Sequence, residues 1–124
     1  MPFEISTDET FSAAHMIAGY EGDCSKLHGH NWRVRVTVRA EKSPATGLTF
    51  DFRKLRTLLK EILGTLDHTV LNDLAPFKDV NPTAETIAEW CYGELARRID
   101  QPGASVSRVE VWESDRSCAA FTRE

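Results

Sequence analysis

Four histidines occur in the chain, and three of them, His15, His28 and His30, fall between residues 15 and 30 together with Cys24. Three imidazoles can hold a zinc ion and leave its fourth position open, the ligand set of a catalytic rather than a structural centre. All-imidazole ligation suits zinc first, although other transition metals accept it too. Cys24 has three readings at this point. It is a fourth ligand closing a structural site, a free thiolate acting as a base beside an open one, or an inert buried thiol. A lone histidine would be read as a polar loop residue; three in this span point to metal-assisted chemistry on a small substrate.

Two further places carry ionisable groups in suggestive surroundings. Asp67 and His68 set an acid beside an imidazole. Such a pair is usually a surface or capping feature, but an oriented histidine relays protons. Glu113 ends an apolar strand face, where a carboxylate either reaches solvent or needs a partner. A guanidine-like ligand edge would offer two donors to its two oxygens. Arg33, Arg35 and Arg39 read as a solvated or interface-facing strand face, and Cys91 and Cys118 as buried, inert thiols.

These residues need elements to position them. Phe3, Ile5, Phe11 and Ala13 share one parity, predicting a strand with one buried face that His15 continues. Gly19 to Asp23 reads as a loop. Trp32, Val34, Val36 and Val38 alternate with Arg33, Arg35, Thr37 and Arg39, the clearest strand pattern in the chain. His28 and His30 extend its apolar parity. Side chains two apart on a strand stand ~6.6 Å apart and point the same way, close enough to share one metal.

Leu48 to Phe50 is predicted as a short third strand. Asp51 caps a helix carrying Leu55, Leu58, Leu59, Ile62 and Leu66 at helical spacing, with Gly64 near its end. A second helix opens at Asn81-Pro82-Thr83, where Pro suits a first turn and Asn or Thr can cap. It buries Ile87, Trp90, Cys91, Leu95 and Ile99. Strands over Val106–Glu113 and Cys118–Thr122 follow. Strands, two helices, then strands imply an α+β layer with both helices on one sheet face.

At 124 residues the chain, 1–124, is expected to form one domain. The net charge of -4 argues against nucleic-acid binding by bulk electrostatics. No secretory signal or bilayer-length apolar run is visible, so no membrane partner is expected. The odd count of three cysteines fits reduced thiols in the cytoplasm.

Phe11-Ser-Ala-Ala-His15, Cys24-Ser-Lys-Leu-His28-Gly-His30-Asn31, Gly47 to Phe52, Leu66-Asp67-His68-Thr-Val-Leu71-Asn72-Asp73, Asn81-Pro82-Thr83-Ala-Glu85 and Val111-Trp-Glu113 occur in this order. In order and spacing they resemble the 6-pyruvoyl-tetrahydropterin synthase superfamily, most closely its bacterial 6-carboxy-5,6,7,8-tetrahydropterin synthase branch of the queuosine pathway. The resemblance implies that His15, His28 and His30 bind Zn2+ and that Cys24 is the catalytic proton acceptor. It makes Asp67 and His68 the proton-relay pair and Glu113 the acid that grips the pterin ring.

The resemblance also implies the tunnel fold: a four-stranded antiparallel sheet with two helices on one face, closing into an oligomeric barrel as a homo-trimer or hexamer with sites between subunits. The three residues between Cys24 and His28 are fewer than in animal pyruvoyl synthases, favouring the carboxy branch. Its substrate is a pterin triphosphate, 7,8-dihydroneopterin triphosphate. Two alternatives stay open: a pyruvoyl synthase, which only eliminates triphosphate, and a non-catalytic zinc-dependent pterin- or purine-binding module.

Overall fold

The structure is a computed structural model that describes the chain apart from Met1, Tyr20, Glu21, Asp23, Cys24 and Glu124. Its spine is a long antiparallel ladder between β1 (Pro2–His15) and β2 (His28–Glu41). The pairing runs without a slip from Pro2 opposite Glu41 to His15 opposite His28. Because side chains alternate between faces, this register sets Phe11 beside Trp32 and puts His15, His28 and His30 on the same face at one end.

That face is the buried one. Trp32, Val34, Val36 and Val38 are wholly inaccessible, as are Leu55 and Leu59 of α1 (Phe52–Gly64) and Ile87, Cys91 and Leu95 of α2 (Ala84–Ile99). Truncating Trp32 to Ala in such packing costs ~3–5 kcal/mol. Asp51 caps α1 by accepting the Arg53 N–H at 2.8 Å. Thr83 caps α2 by accepting the Thr86 N–H at 3.1 Å. Pro82 therefore lies before the cap of α2, not in its first turn, and its carbonyl is left to serve the site described below.

The sheet has five strands in the order β3-β1-β2-β4-β5, one more than the expected four. The additional β3 is only Thr69–Val70, and it runs parallel to β1 beside Ala13 and Ala14. The four long strands, including β4 (Ala104–Ser114) and β5 (Ser117–Thr122), are antiparallel as expected. Leu48 to Phe50 forms no strand; its bends lead directly to the cap of α1. Cys118, expected to be buried, is exposed on the β5 edge strand, whereas Cys91 is buried and desolvation pushes its thiol pKa up.

Among the described residues, the other face of the sheet carries no helix and is polar. Asp8 accepts from both Arg33, at 3.5 Å, and Arg35, at 3.1 Å. The Arg33 guanidinium lies 4.4 Å from the centre of the Trp112 ring. No described helix is long and apolar enough to cross a membrane.

Candidate active site

His15 and His28 are direct partners across the last rung of the β1–β2 ladder, and His30 stands opposite Ala13 one pleat further in. The three rings meet edge to face at centroid distances of 4.6, 5.2 and 4.8 Å. Trp32 floors the cluster, 5.0 Å from His15 and 5.1 Å from His30, and its own N–H donates to the Ala13 carbonyl at 3.2 Å.

Hydrogen bonds decide which nitrogens are free. His15 Nδ1 lies 2.7 Å from the Pro82 carbonyl and His28 Nδ1 lies 2.7 Å from the Lys26 carbonyl. A carbonyl can only accept, so each Nδ1 carries a proton, and in the neutral ring Nε2 is then the nitrogen with the lone pair. Backbone carbonyls are the usual partners that orient a metal-ligating histidine. His15 Nε2 and His30 Nε2 are buried and have no hydrogen-bond partner. Burying such atoms without a partner is costly.

One candidate ligand atom from each of the three histidines falls within 4.8 Å of the others. Atoms on one zinc at ~2.0–2.1 Å stand roughly 3–4 Å apart, so small ring rotations close the triad around an ion. Burial, the largest influence, holds His15 and His30 below the ordinary imidazole value of 6.5, which keeps them neutral as ligands must be. The donor set therefore fits a metal.

Glu113 approaches the triad from β4. Trp112 pairs with Cys118 and Ser114 with Ser117, and the slip between them leaves Glu113 without a rung partner. Such a bulge re-aims a side chain. Here Glu113 Oε1 lies 3.6 Å from His30 Nε2. Glu113 also lines a cleft of about 210 Å³ together with Ala84, Glu85, Ser117, Cys118 and Ala119. A larger concavity, about 560 Å³ around Glu4, Arg39 and Arg108, lies at the opposite end of the ladder, and no histidine lines it.

Asp67 and His68 do not join the triad. Asp67 Oδ1 accepts the Ser12 N–H at 2.8 Å, and its Oδ2 lies 2.8 Å from His68 Nδ1. The Ser12 N–H first, then the His68 ring, holds the Asp67 carboxyl below its ordinary range. His68 adopts φ +59°, the only described residue other than glycine with positive φ. Its N–H also bonds the Ser12 carbonyl at 2.6 Å. Its side chain is 81% exposed, with Nε2 available to an incoming group. Ser12 precedes His15 by three residues, ~10 Å of strand. Cys24 lies outside the described residues.

Two asparagines that composition did not single out complete the scaffold. Asn72 accepts the Met16 N–H at 3.0 Å and donates to the Met16 carbonyl at 2.9 Å. Asn81 does the same to Ala18, at 2.9 and 2.8 Å. Each amide mimics one rung of a strand and pins the backbone that leaves His15. Both lie in the motif blocks already quoted, but only the fold reveals what they grip.

A long antiparallel sheet with two helices on one face and a histidine cluster at its end defines a tunnel-fold protein. The model of the family described as 6-pyruvoyl tetrahydropterin synthase matches residues 4–124. The chain belongs to that family of pterin synthases. It is 36% identical over 117 residues to 6-carboxy-5,6,7,8-tetrahydropterin synthase of Synechocystis, covering 90% of this chain and 87% of that one. It is 34% identical over 135 residues to human 6-pyruvoyl tetrahydrobiopterin synthase, covering 98% and 92%. The structure of Caenorhabditis elegans 6-pyruvoyl tetrahydropterin synthase superposes with a TM-score of 0.88 at 25% identity, covering 100% of this chain and 97% of that one.

Proposed function

We propose that this chain is a zinc-dependent 6-carboxy-5,6,7,8-tetrahydropterin synthase of the cytoplasm. It would convert 7,8-dihydroneopterin triphosphate and water to 6-carboxytetrahydropterin, acetaldehyde and triphosphate on the route to queuosine. The observation that carries the metal-dependent chemistry is the pair of carbonyl-fixed imidazoles, His15 and His28, which turn their lone pairs toward a third, His30. The similarity to a synthase of the carboxy type and the short Cys24–His28 spacing favour this product over the pyruvoyl one.

His15, His28 and His30 would hold the zinc, which as a Lewis acid makes protons on the neighbouring substrate carbons easier to remove. Cys24 takes a proton from the side-chain carbon. His68, steadied by Asp67 at Nδ1, gives and receives protons at Nε2 as triphosphate departs. The Glu113 carboxylate accepts two parallel hydrogen bonds from the ring N–H and exocyclic amine, fixing the side chain toward the histidines.

His68 would serve the site of a neighbouring subunit, because it stands on the Ser12 edge with its outer nitrogen exposed. Other features support a homo-oligomer. The cleft beside Glu113 is smaller than the ~300–1,000 Å³ of most ligand pockets, so one subunit supplies only part of its wall. Among the described residues, the outer edge of β1 has no strand partner beyond the two residues of β3, nor has that of β5. Such edges pair readily with another chain.

Mass spectrometry of products formed by the zinc-loaded protein from dihydroneopterin triphosphate tests the proposal. Acetaldehyde and a 6-carboxypterin are expected. A product retaining all three side-chain carbons would make it a pyruvoyl synthase, and binding without turnover would make it a non-catalytic pterin module.

A further inference from the structure

Strand β4 leaves its regular register twice. One slip, at Glu113, belongs to the site described above. At the other, Thr37 stands opposite Arg108 but Val38 opposite Val106, so Ser107 is an extra residue with no partner on β2. A bulge of this kind bends its strand. Beside it the short side chains of Ser105, Ser107 and Thr122 and the long ones of Arg39, Arg108 and Arg123 line a hollow of about 560 Å³. That volume falls within the ~300–1,000 Å³ typical of ligand pockets. The register sets this hollow at the Glu4–Arg39 end of the ladder, roughly 35 Å of strand from His15.

Three guanidiniums and a single carboxylate, Glu4, line the hollow. Glu4 stands opposite Arg39 in the ladder, yet its Oε2 takes the Ser107 hydroxyl at 3.1 Å. Arg39 makes no ion pair with any described residue. Arg108 reaches Glu110 through one terminal nitrogen at 3.5 Å, and Arg123 reaches Asp100 through one at 2.7 Å. A guanidinium is a fork of several N–H donors, so most of the donors around the hollow are uncommitted. Like charges drawn together on a sheet are destabilising, and a multiply charged anion seated among them reverses the sign. We infer that this hollow binds an oligophosphate anion, remote from the histidine cluster. Guanidinium forks match phosphate oxygens two at a time. Three of them around this volume suit a chain of phosphates, because a lone phosphate meets only part of the wall. The hydroxyls of Ser105 and Thr122 add further donors. The inference is independent of the reaction proposed above.

Calorimetry of the zinc-loaded protein with inorganic triphosphate at low ionic strength tests it, with ATP as a second probe. Binding is expected, and it should weaken as salt is added. Arg39→Gln and Arg108→Gln should each lower the affinity about tenfold or more, since each deletes charge-assisted bonds, while zinc content stays unchanged. Both arginines are exposed, so neither substitution disturbs the core. His28→Ala should bind triphosphate at the hollow as wild type does. Affinity for ATP no greater than for triphosphate assigns the site to the phosphate chain alone, and tighter binding of ATP assigns it to an organic phosphate. Absence of binding at millimolar triphosphate would overturn the inference. So would binding that is lost in His28→Ala and indifferent to both arginine substitutions, which places the anion at the metal instead.

Discussion

The four histidines fall into two regions built on opposite plans. His15, His28 and His30 converge at one end of the β1–β2 ladder, with His15 wholly buried and its proton fixed by the Pro82 carbonyl. His68 sits on a strained backbone at the strand edge, largely exposed, and touches none of them. The first region is complete where it stands. The second holds a ring in one orientation and presents it outward, so its chemistry depends on what is brought to it. In the proposed reaction, metal binding and proton transfer would therefore be separable.

The largest effect expected is loss of the metal. His28→Ala should release it and lower kcat/KM at least ~1,000-fold, a transition-state loss of about 4 kcal/mol. Cys24→Ala should keep about one zinc per subunit, since three histidines suffice. Elemental analysis beside turnover makes the comparison. Equal metal loss in both variants would return Cys24 to the role of fourth ligand.

Breaking the outward pair should cost less. His68→Ala is expected to lower kcat by roughly 100–10,000-fold, the usual range for a positioned acid or base, with metal content unchanged. Co-assembled with inactive Cys24→Ala subunits, it should regain part of the activity, because some shared sites receive both intact residues. Subunit exchange must be verified by tagged pull-down. Silent hetero-oligomers would place both groups in one subunit's site.

A smaller loss follows from unpinning the backbone behind His15. Asn81→Ala leaves the Ala18 N–H and carbonyl without their partners. Destabilisation of about 1–3 kcal/mol in urea unfolding is expected, with weaker metal retention against a chelator. Unchanged retention would confine the asparagine to a purely structural role.

The smallest effect is a pH dependence. The Asp67 pKa is depressed below 3.8 by the Ser12 N–H and then by His68, so the folded state binds this proton less readily than the unfolded one. The stability it contributes is present above the unfolded value and is lost as pH falls through the folded one. Asp67→Asn should therefore narrow the stability difference between neutral pH and pH ~3. An equal acid loss in both proteins would show that this carboxylate contributes nothing to it.

The triad was legible because strand alternation is local. Trp32, Val34, Val36 and Val38 set the parity, and His28 and His30 inherit it without knowledge of the rest of the fold. The same rule placed His15 on the buried side. What escaped depends on distant pairing. Two residues, Thr69 and Val70, are too few to show a period, so β3 became visible only once β1 lay beside it. Leu48 to Phe50 has strand composition but no neighbouring edge to join. Small residues around Cys118 suggested burial, yet burial depends on which edge of the sheet a strand occupies.

The asparagine anchors at Met16 and Ala18 have a consequence for how this family can change. One end of the stretch from Gly19 to Leu27 starts where Asn81 holds the chain, and the other enters the ladder at His28. Residues added between those moorings leave His15, His28 and His30 where they are. Segment length, and with it the position of the cysteine, becomes a free variable for natural selection. The histidine cluster can then be kept while the segment between the moorings changes.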